Sequence, residues 1–159
     1  MLTRGPQPLL ILILLTSLVG MHEPVLAQPA ADAEWTTPMG TVQGTRFSTL
    51  TQINTNNANQ LRQEFSFRTG VRARHEGQPL VIGDTMYVVS PFPNRLFAFD
   101  LNRPGQLRWV FNPQPDRFSQ DQACCDITNR GAAFARRSNG QGLIIYSALD
   151  TAAIAVDAA

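Results

Sequence analysis

Downstream of residue 63 the chain is written in short apolar runs broken by polar punctuation. The runs occupy residues 79–82, 85–89, 96–99 and 107–111, and the turn-forming breaks fall at 83–84, 91–94 and 102–105. Residues 64–68 alternate polar and aromatic positions, which is the period of a half-buried strand. Runs this short, joined by turns this tight, predict antiparallel meanders. Upstream, residues 28–45 are small, polar and Gly-rich and predict an extended N-terminal arm. Residues 54–61 predict one short helix capped by Thr55 or Asn56. Everything after it reads as β-structure.

An internal repeat organises these strands. A shift of 57 residues lays GDTMYVVSPFPNRLFAFD (83–100) on GQGLIIYSALDTAAIAVD (140–157) without gaps. Gly83, Ser90, Ala98 and Asp100 then match Gly140, Ser147, Ala155 and Asp157, and the apolar positions between them match in kind. A strand–turn–strand unit recurring at such a period predicts a β-propeller. The expected class is therefore all-β, with about two blades preceded by an arm.

The first residues stand apart from this pattern. Arg4 gives a short positive region, residues 9–19 are apolar except for Thr16 and Ser17, and Val25-Leu26-Ala27 offers small side chains before Gln28. That order predicts a secretory signal peptide over 1–27, cleaved after Ala27. The alternative is an uncleaved anchor, although the apolar run falls short of the roughly 20 residues a spanning helix needs. The expected division is 1–27 signal peptide, 28–62 arm with its short helix, and 63–159 propeller segment. Export would place the mature chain in an oxidising compartment, the periplasm.

Composition narrows the function. A net charge of +1 excludes the concentrated basic footprint of a nucleic-acid binder. All 13 basic residues are Arg, which hints at carboxylate or phosphate recognition or simply reflects codon bias in a GC-rich genome. With 16% charged and 43% hydrophobic residues the chain is globular rather than disordered.

Cys124-Cys125 is the most unusual local feature. The two cysteines can bridge each other, bridge other molecules or stay free. Neighbouring Cα atoms lie about 3.8 Å apart, short of the roughly 4.4–6.8 Å usual for a disulfide, so a vicinal bridge would close a small strained ring. It would make a flat, apolar sulfur surface suited to packing on a planar ring. A zinc site is disfavoured, because His75 is the only histidine beyond residue 27 and such sites want four ligands. In the repeat, Glu76 and Arg130 both precede the first strand of their blades, expected at 78–82 and 132–135. Innermost strands surround a propeller's channel, so Glu76, Arg130 and the Cys pair should converge at one mouth of it. A carboxylate, a guanidinium and a sulfur surface would suit a planar, carboxylate-rich ligand. On the residues alone the balance favours a plainer arrangement, with Arg130 paired to Asp126 and Glu76 capping a turn.

Two groups of motifs carry a family resemblance. Ala98-Phe99-Asp100, Gly105 and Trp109 resemble the tryptophan-docking motif of quinoprotein propellers, with one extra residue in the turn. In that family the Trp packs onto the neighbouring blade. The second unit begins the same motif at Ala155-Val156-Asp157, and its turn glycine, Trp and fourth strand lie beyond the sequence. TRFSTLTQINTNNANQLR (45–62), TGVRARHEGQPLVIGDTMYVVSPFPN (69–94), LFAFDLNRPGQLRW (96–109) and above all ACCDITNRG (123–131) resemble the large subunit of pyrroloquinoline quinone (PQQ)-dependent methanol dehydrogenases. The resemblance covers the chain from Trp35 to Asp157.

The resemblance implies an eight-bladed periplasmic propeller that oxidises methanol or other primary alcohols. It implies PQQ as cofactor, calcium or a lanthanide ion as the polarising metal, and a soluble cytochrome c as electron acceptor, with a small second subunit or a homodimer left open. Cys124 and Cys125 match a vicinal disulfide stacked on one face of PQQ, and Glu76 and Arg130 match residues that hydrogen-bond its edge. Phe65 departs from the family, which usually has Trp there. The family's metal ligands, its general base and the Trp on the other PQQ face would lie beyond residue 159, so the segment alone is expected to be inactive. The competing expectation is a non-catalytic propeller scaffold of the outer-membrane assembly kind, which would have no use for a strained Cys pair.

Overall fold

The computed structural model describes residues 34–41, 43–123 and 126–159. Among them, seven strands form two antiparallel sheets. The first sheet runs in chain order through β1 (Leu80–Ile82), β2 (Thr85–Val89), β3 (Leu96–Asp100) and β4 (Leu107–Phe111). The second runs through β5 (Ala133–Arg136), β6 (Gly142–Ser147) and β7 (Ala153–Asp157). These are two adjacent propeller blades, the first with four strands and the second with three.

The 57-residue repeat survives in three dimensions. The β3 span maps onto the β7 span residue for residue. Gly83 and Gly140 both have positive φ, at +57° and +85°, and so do the equivalent turn residues Asn94 and Thr151, at +56° and +71°. The register of the first strands differs. Leu80 pairs with Tyr87, whereas Phe134 pairs with Ile144, the repeat partner of Tyr87. Position 80 therefore corresponds to position 134, three residues short of the 57-residue shift. The cause is turn length. Gly83-Asp84 joins β1 to β2 directly, whereas residues 137–141 join β5 to β6.

The two blades pack face to face. Leu80, Tyr87, Ala98 and Trp109 lie across one face of the first sheet, and Phe134, Ile144 and Val156 lie across the second. Together with Val89, Leu96 and Tyr146 they form the shared core. The Tyr87 hydroxyl crosses between blades to donate to the Ala158 carbonyl at 2.6 Å. Trp109 sits beside Tyr87 of its own blade, ring centroids 5.8 Å apart, and its buried indole N–H has no partner among the described residues. Beside Trp109, β4 skips one residue where its partners pass from Ala98 to Phe99. The skipped Arg108 reaches both Asp84 (2.9 Å) and Asp100 (3.3 Å).

Several expectations need correction. Residues 64–68 form no strand; they run extended with no ladder. Phe65 and Phe67 instead pack on Phe97 and Phe99, on the face of β3 turned away from the core, with centroids 5.0–5.8 Å apart. Among the described residues the alternation reports burial against these rings, and the segment has no ladder partner. The helix expected over 54–61 is a single 3-10 turn, Ala58–Gln60, with Asn57 and not Thr55 or Asn56 at its N-cap. Asn54 and Asn57 fold that segment through side-chain bonds to backbone instead. A short helix α1 (Ser119–Gln122) interrupts what reads as continuous β-structure. The proposed signal segment 1–27 lies outside the described residues.

The arm lies on the inner edge of both blades. Trp35 exchanges two backbone hydrogen bonds with Val81, at 2.7 and 3.0 Å, and Thr36 accepts one from Phe134. Glu34 accepts a hydrogen bond from the Gly83 N–H at 3.1 Å and lies 3.9 Å from Arg136.

Candidate cofactor site at one end of the blades

Glu76 and Arg130 enter the structure from separate blades and meet. Counted along their strands, Glu76 stands four residues before Leu80 and Arg130 four before Phe134, so the two occupy equivalent positions. Arg130 Nε lies 3.6 Å from Glu76 Oε2. The pairing with Asp126 does not form; the Asp126 carboxylate turns back to accept from the Ile127 N–H at 2.7 Å. Nor does Glu76 cap a turn among the hydrogen bonds of the described residues. The two side chains are therefore neighbours across the blades. Cys124 and Cys125 lie outside the described residues.

The backbone brings the two side chains together. Gln78 and Gly131 form an isolated parallel bridge that joins the entrances of β1 and β5. Gly131 has φ +107°, and a Cβ there would stand 3.0 Å from the Gln78 carbonyl oxygen and 3.1 Å from its nitrogen. Gly77 is equally confined, 3.1 Å from the Val89 carbonyl and 3.2 Å from that of Asn129. Gly131 is held there by its positive φ, which other residues rarely adopt, and at Gly77 a side chain would force its neighbours to give way. The side-chain pair could not enforce this main-chain approach. A contact of 3.6 Å between an 80% exposed guanidinium and a 37% exposed carboxylate is long for a hydrogen bond. Exposed pairs of this kind contribute about 0–1 kcal/mol.

Buried asparagines frame the same end. Asn129 accepts from the Gly131 N–H at 2.9 Å and donates to the Ser147 carbonyl at 2.8 Å. Asn94, from the β2–β3 turn, accepts from the Leu149 N–H at 2.9 Å, and its carbonyl accepts from the Tyr146 hydroxyl at 3.0 Å. Burial pushes the Tyr146 phenol well above its ordinary range, so it stays a neutral donor. A cavity of about 360 Å³ opens beside Arg130, lined also by Asn94, Thr128, Asn129, Ser147 and Leu149. His75 is engaged elsewhere. Its ring nitrogens meet the Thr69 hydroxyl at 2.8 Å and the Ala73 carbonyl at 2.9 Å, closing the loop before Glu76.

This donor set suits the edge of a planar, carboxylate-bearing quinone. Arg130 has N–H groups not used by any other described residue, Glu76 supplies an acceptor, and a rigid backbone fixes both. A metal is a different matter. Among the described residues no group of three or more His, Cys, Asp or Glu could hold an ion. Asn129, Gly77 and Gly131 were not evident from the sequence as site residues. The only signals were their places beside Arg130 and Glu76.

Known proteins resemble this chain along most of its length. The profile of the PQQ glucose/ethanol/alcohol dehydrogenase β-propeller domain matches residues 35–159. The methanol dehydrogenase (cytochrome c) subunit 1 of Paracoccus denitrificans is 39% identical over 149 residues, covering 92% of this chain and 24% of that protein. The lanthanide-dependent methanol dehydrogenase of Methylacidiphilum fumariolicum (strain SolV) is 38% identical over 143 residues, 89% of this chain and 23% of that protein. Among solved structures, a europium-containing methanol dehydrogenase superposes with a TM-score of 0.64 at 38% identity, covering 78% of this chain and 22% of that one. The chain thus spans less than a quarter of the length of these relatives. With its two blades and its match over residues 35–159, the chain belongs to the PQQ glucose/ethanol/alcohol dehydrogenase β-propeller family.

Proposed function

We propose that this chain forms part of a PQQ-dependent dehydrogenase that oxidises methanol or another primary alcohol and passes electrons to a soluble cytochrome c. The observation that carries the proposal is the convergence of Glu76 and Arg130 from equivalent positions of two blades. When bound, PQQ supplies the quinone that accepts the substrate's electrons. The residues of this chain do the holding. Arg130 donates to the cofactor's edge, Glu76 accepts from it, and the Gly77–Gly131 contact keeps the two at a fixed spacing. Cys124 and Cys125, as a vicinal disulfide, would provide a flat surface against one ring face. Calcium or a lanthanide ion is the proposed metal, with no ligand assigned here.

The test is a PQQ titration of a protein carrying this segment at the length of its relatives. Arg130→Leu should weaken binding by about 1.5–3 kcal/mol, the range for a hydrogen bond to a charged group. Unchanged affinity in a folded variant would make Arg130 structural and sink the assignment.

Export belongs to the same proposal. A periplasmic enzyme should begin at Gln28 after cleavage behind Ala27. N-terminal sequencing and intact-mass measurement of periplasmic protein check both points at once. The expected result is a start at Gln28 and a gain of two protons on reduction of the Cys124–Cys125 bridge. A start at Met1, or two thiols already free, would count against it.

A further inference from the structure

We propose that Asn129 is the residue that positions Arg130 for the cofactor, a role that rests on the assignment of Glu76 and Arg130 to the PQQ edge. Arg130 lies mostly in solvent, and its contact to Glu76 is too long to fix its direction. The main chain on either side of it therefore sets the position and direction from which the side chain leaves. Asn129 holds that main chain from both directions. It is 7% exposed, and its amide oxygen accepts from the N–H of Gly131, closing a turn around Arg130. Its amide nitrogen donates to the Ser147 carbonyl at the end of β6, fastening the turn to the blade's second strand. The Asn129 carbonyl stands 3.2 Å from the position a Gly77 Cβ would take, so the same residue also packs against the backbone that carries Glu76. Asn129 thus meets both halves of the pair, its side-chain amide tying the turn at Arg130 to β6 and its main-chain carbonyl packing against Gly77.

The chemistry explains why asparagine stands there. Aspartate could accept from Gly131 but could not donate to Ser147. Serine could accept from Gly131 through its hydroxyl but would not span to the strand. Only a carboxamide satisfies both bonds from a buried position without adding charge beside Arg130.

The experiment uses a protein carrying this segment at the length of its relatives, with PQQ itself as the titrant. The variants are Asn129→Ala, Asn129→Ser and Arg130→Leu, with Asn129→Ala also placed on the Arg130→Leu background. Asn129→Ala should weaken PQQ binding by roughly tenfold, as expected for loss of a residue that orients a ligand-binding group. On the Arg130→Leu background the same change should weaken it by less than about twofold, because the group being oriented is gone. Asn129→Ser, which keeps the Gly131 bond, should recover most of the affinity. In the apo protein, amide exchange at Gly131 should accelerate in Asn129→Ala and not in Asn129→Ser. If Asn129→Ala does not fold, Asn129→Ser on both backgrounds carries the same comparison. Any loss of affinity it causes should then vanish when Arg130 is Leu. Equal weakening on both backgrounds, or none in Asn129→Ala, would overturn the positioning role. Should Arg130→Leu itself leave PQQ affinity unchanged, the cofactor assignment fails instead, whatever Asn129 does.

Discussion

Asp100 shows how much one position can tie together. It ends β3, is almost fully buried, and accepts from Arg103 at 2.8 Å, the Asn102 N–H at 3.0 Å and Arg108 at 3.3 Å. The hydrogen bond from Arg103 chiefly holds its carboxyl below the ordinary value of 3.8, Asn102 and Arg108 adding to the effect and burial opposing it. A carboxyl depressed in the folded state contributes stability that is present above the unfolded value and lost as pH falls through the folded one. Urea midpoints should therefore drop as pH is lowered below about 4. In Asp100→Asn the midpoint should start lower at neutral pH and show a flatter acid limb. An acid limb as steep as the parent's would assign the effect to other carboxylates. The repeat made Asp100 legible, because Asp157 matches it. Its partners were not, since Arg108 reaches it only through the skipped position in β4.

Among the elements, β3 is unusual in being buried at every position. Leu96 and Ala98 face the shared core, while Phe97 and Phe99 lie under Phe65 and Phe67 of the extended segment 64–68. Replacing Phe65 and Phe67 together with Ala should lower stability by about 1–3 kcal/mol, from lost aromatic contacts and partial apolar exposure. A urea melt reads the loss. A dye that binds exposed apolar surface should brighten as Phe97 and Phe99 are uncovered, and a variant matching the parent in both measurements would show that residues 64–68 do not hold β3. Strand positions were readable because apolar runs and turn residues report local geometry. Residues 64–68 alternate without a ladder partner among the described residues, because alternation is the same whether a segment pairs or lies on aromatic rings. The helix Ser119–Gln122 gave no signal at all. It is four polar residues, seated where Ser119 and Phe118 bond back to Asp116, and it carries no apolar period.

For the molecule as a whole, the site was legible to the extent that the repeat could align two blades. The alignment placed Glu76 and Arg130 three residues out of step, and the longer β5–β6 turn absorbs that difference. Asn129 stayed hidden because its value comes from Ser147, a contact 18 residues away that no spacing rule anticipates. The joints between arm and blade and between the two blades are of the same long-range kind. Glu34 meets Gly83 across 49 residues, Asn94 meets Leu149 across 55, and Tyr87 meets Ala158 across 71. Each hairpin within a blade closes over only a few residues. These separations set an order of events. Local ribbons form early because loop closure over a short stretch costs little entropy, while distant closures cost more and wait on them. Pulse-labelled amide exchange during refolding should protect the β2–β3 ladder first. The Gly83 and Leu149 amides, whose acceptors come from the arm and from the other blade, should follow. Simultaneous protection would mean that the blades condense as one unit. In the expected sequence the blades exist as separate ribbons before they are seated, and Glu76 and Arg130 come within reach of each other only at the last step.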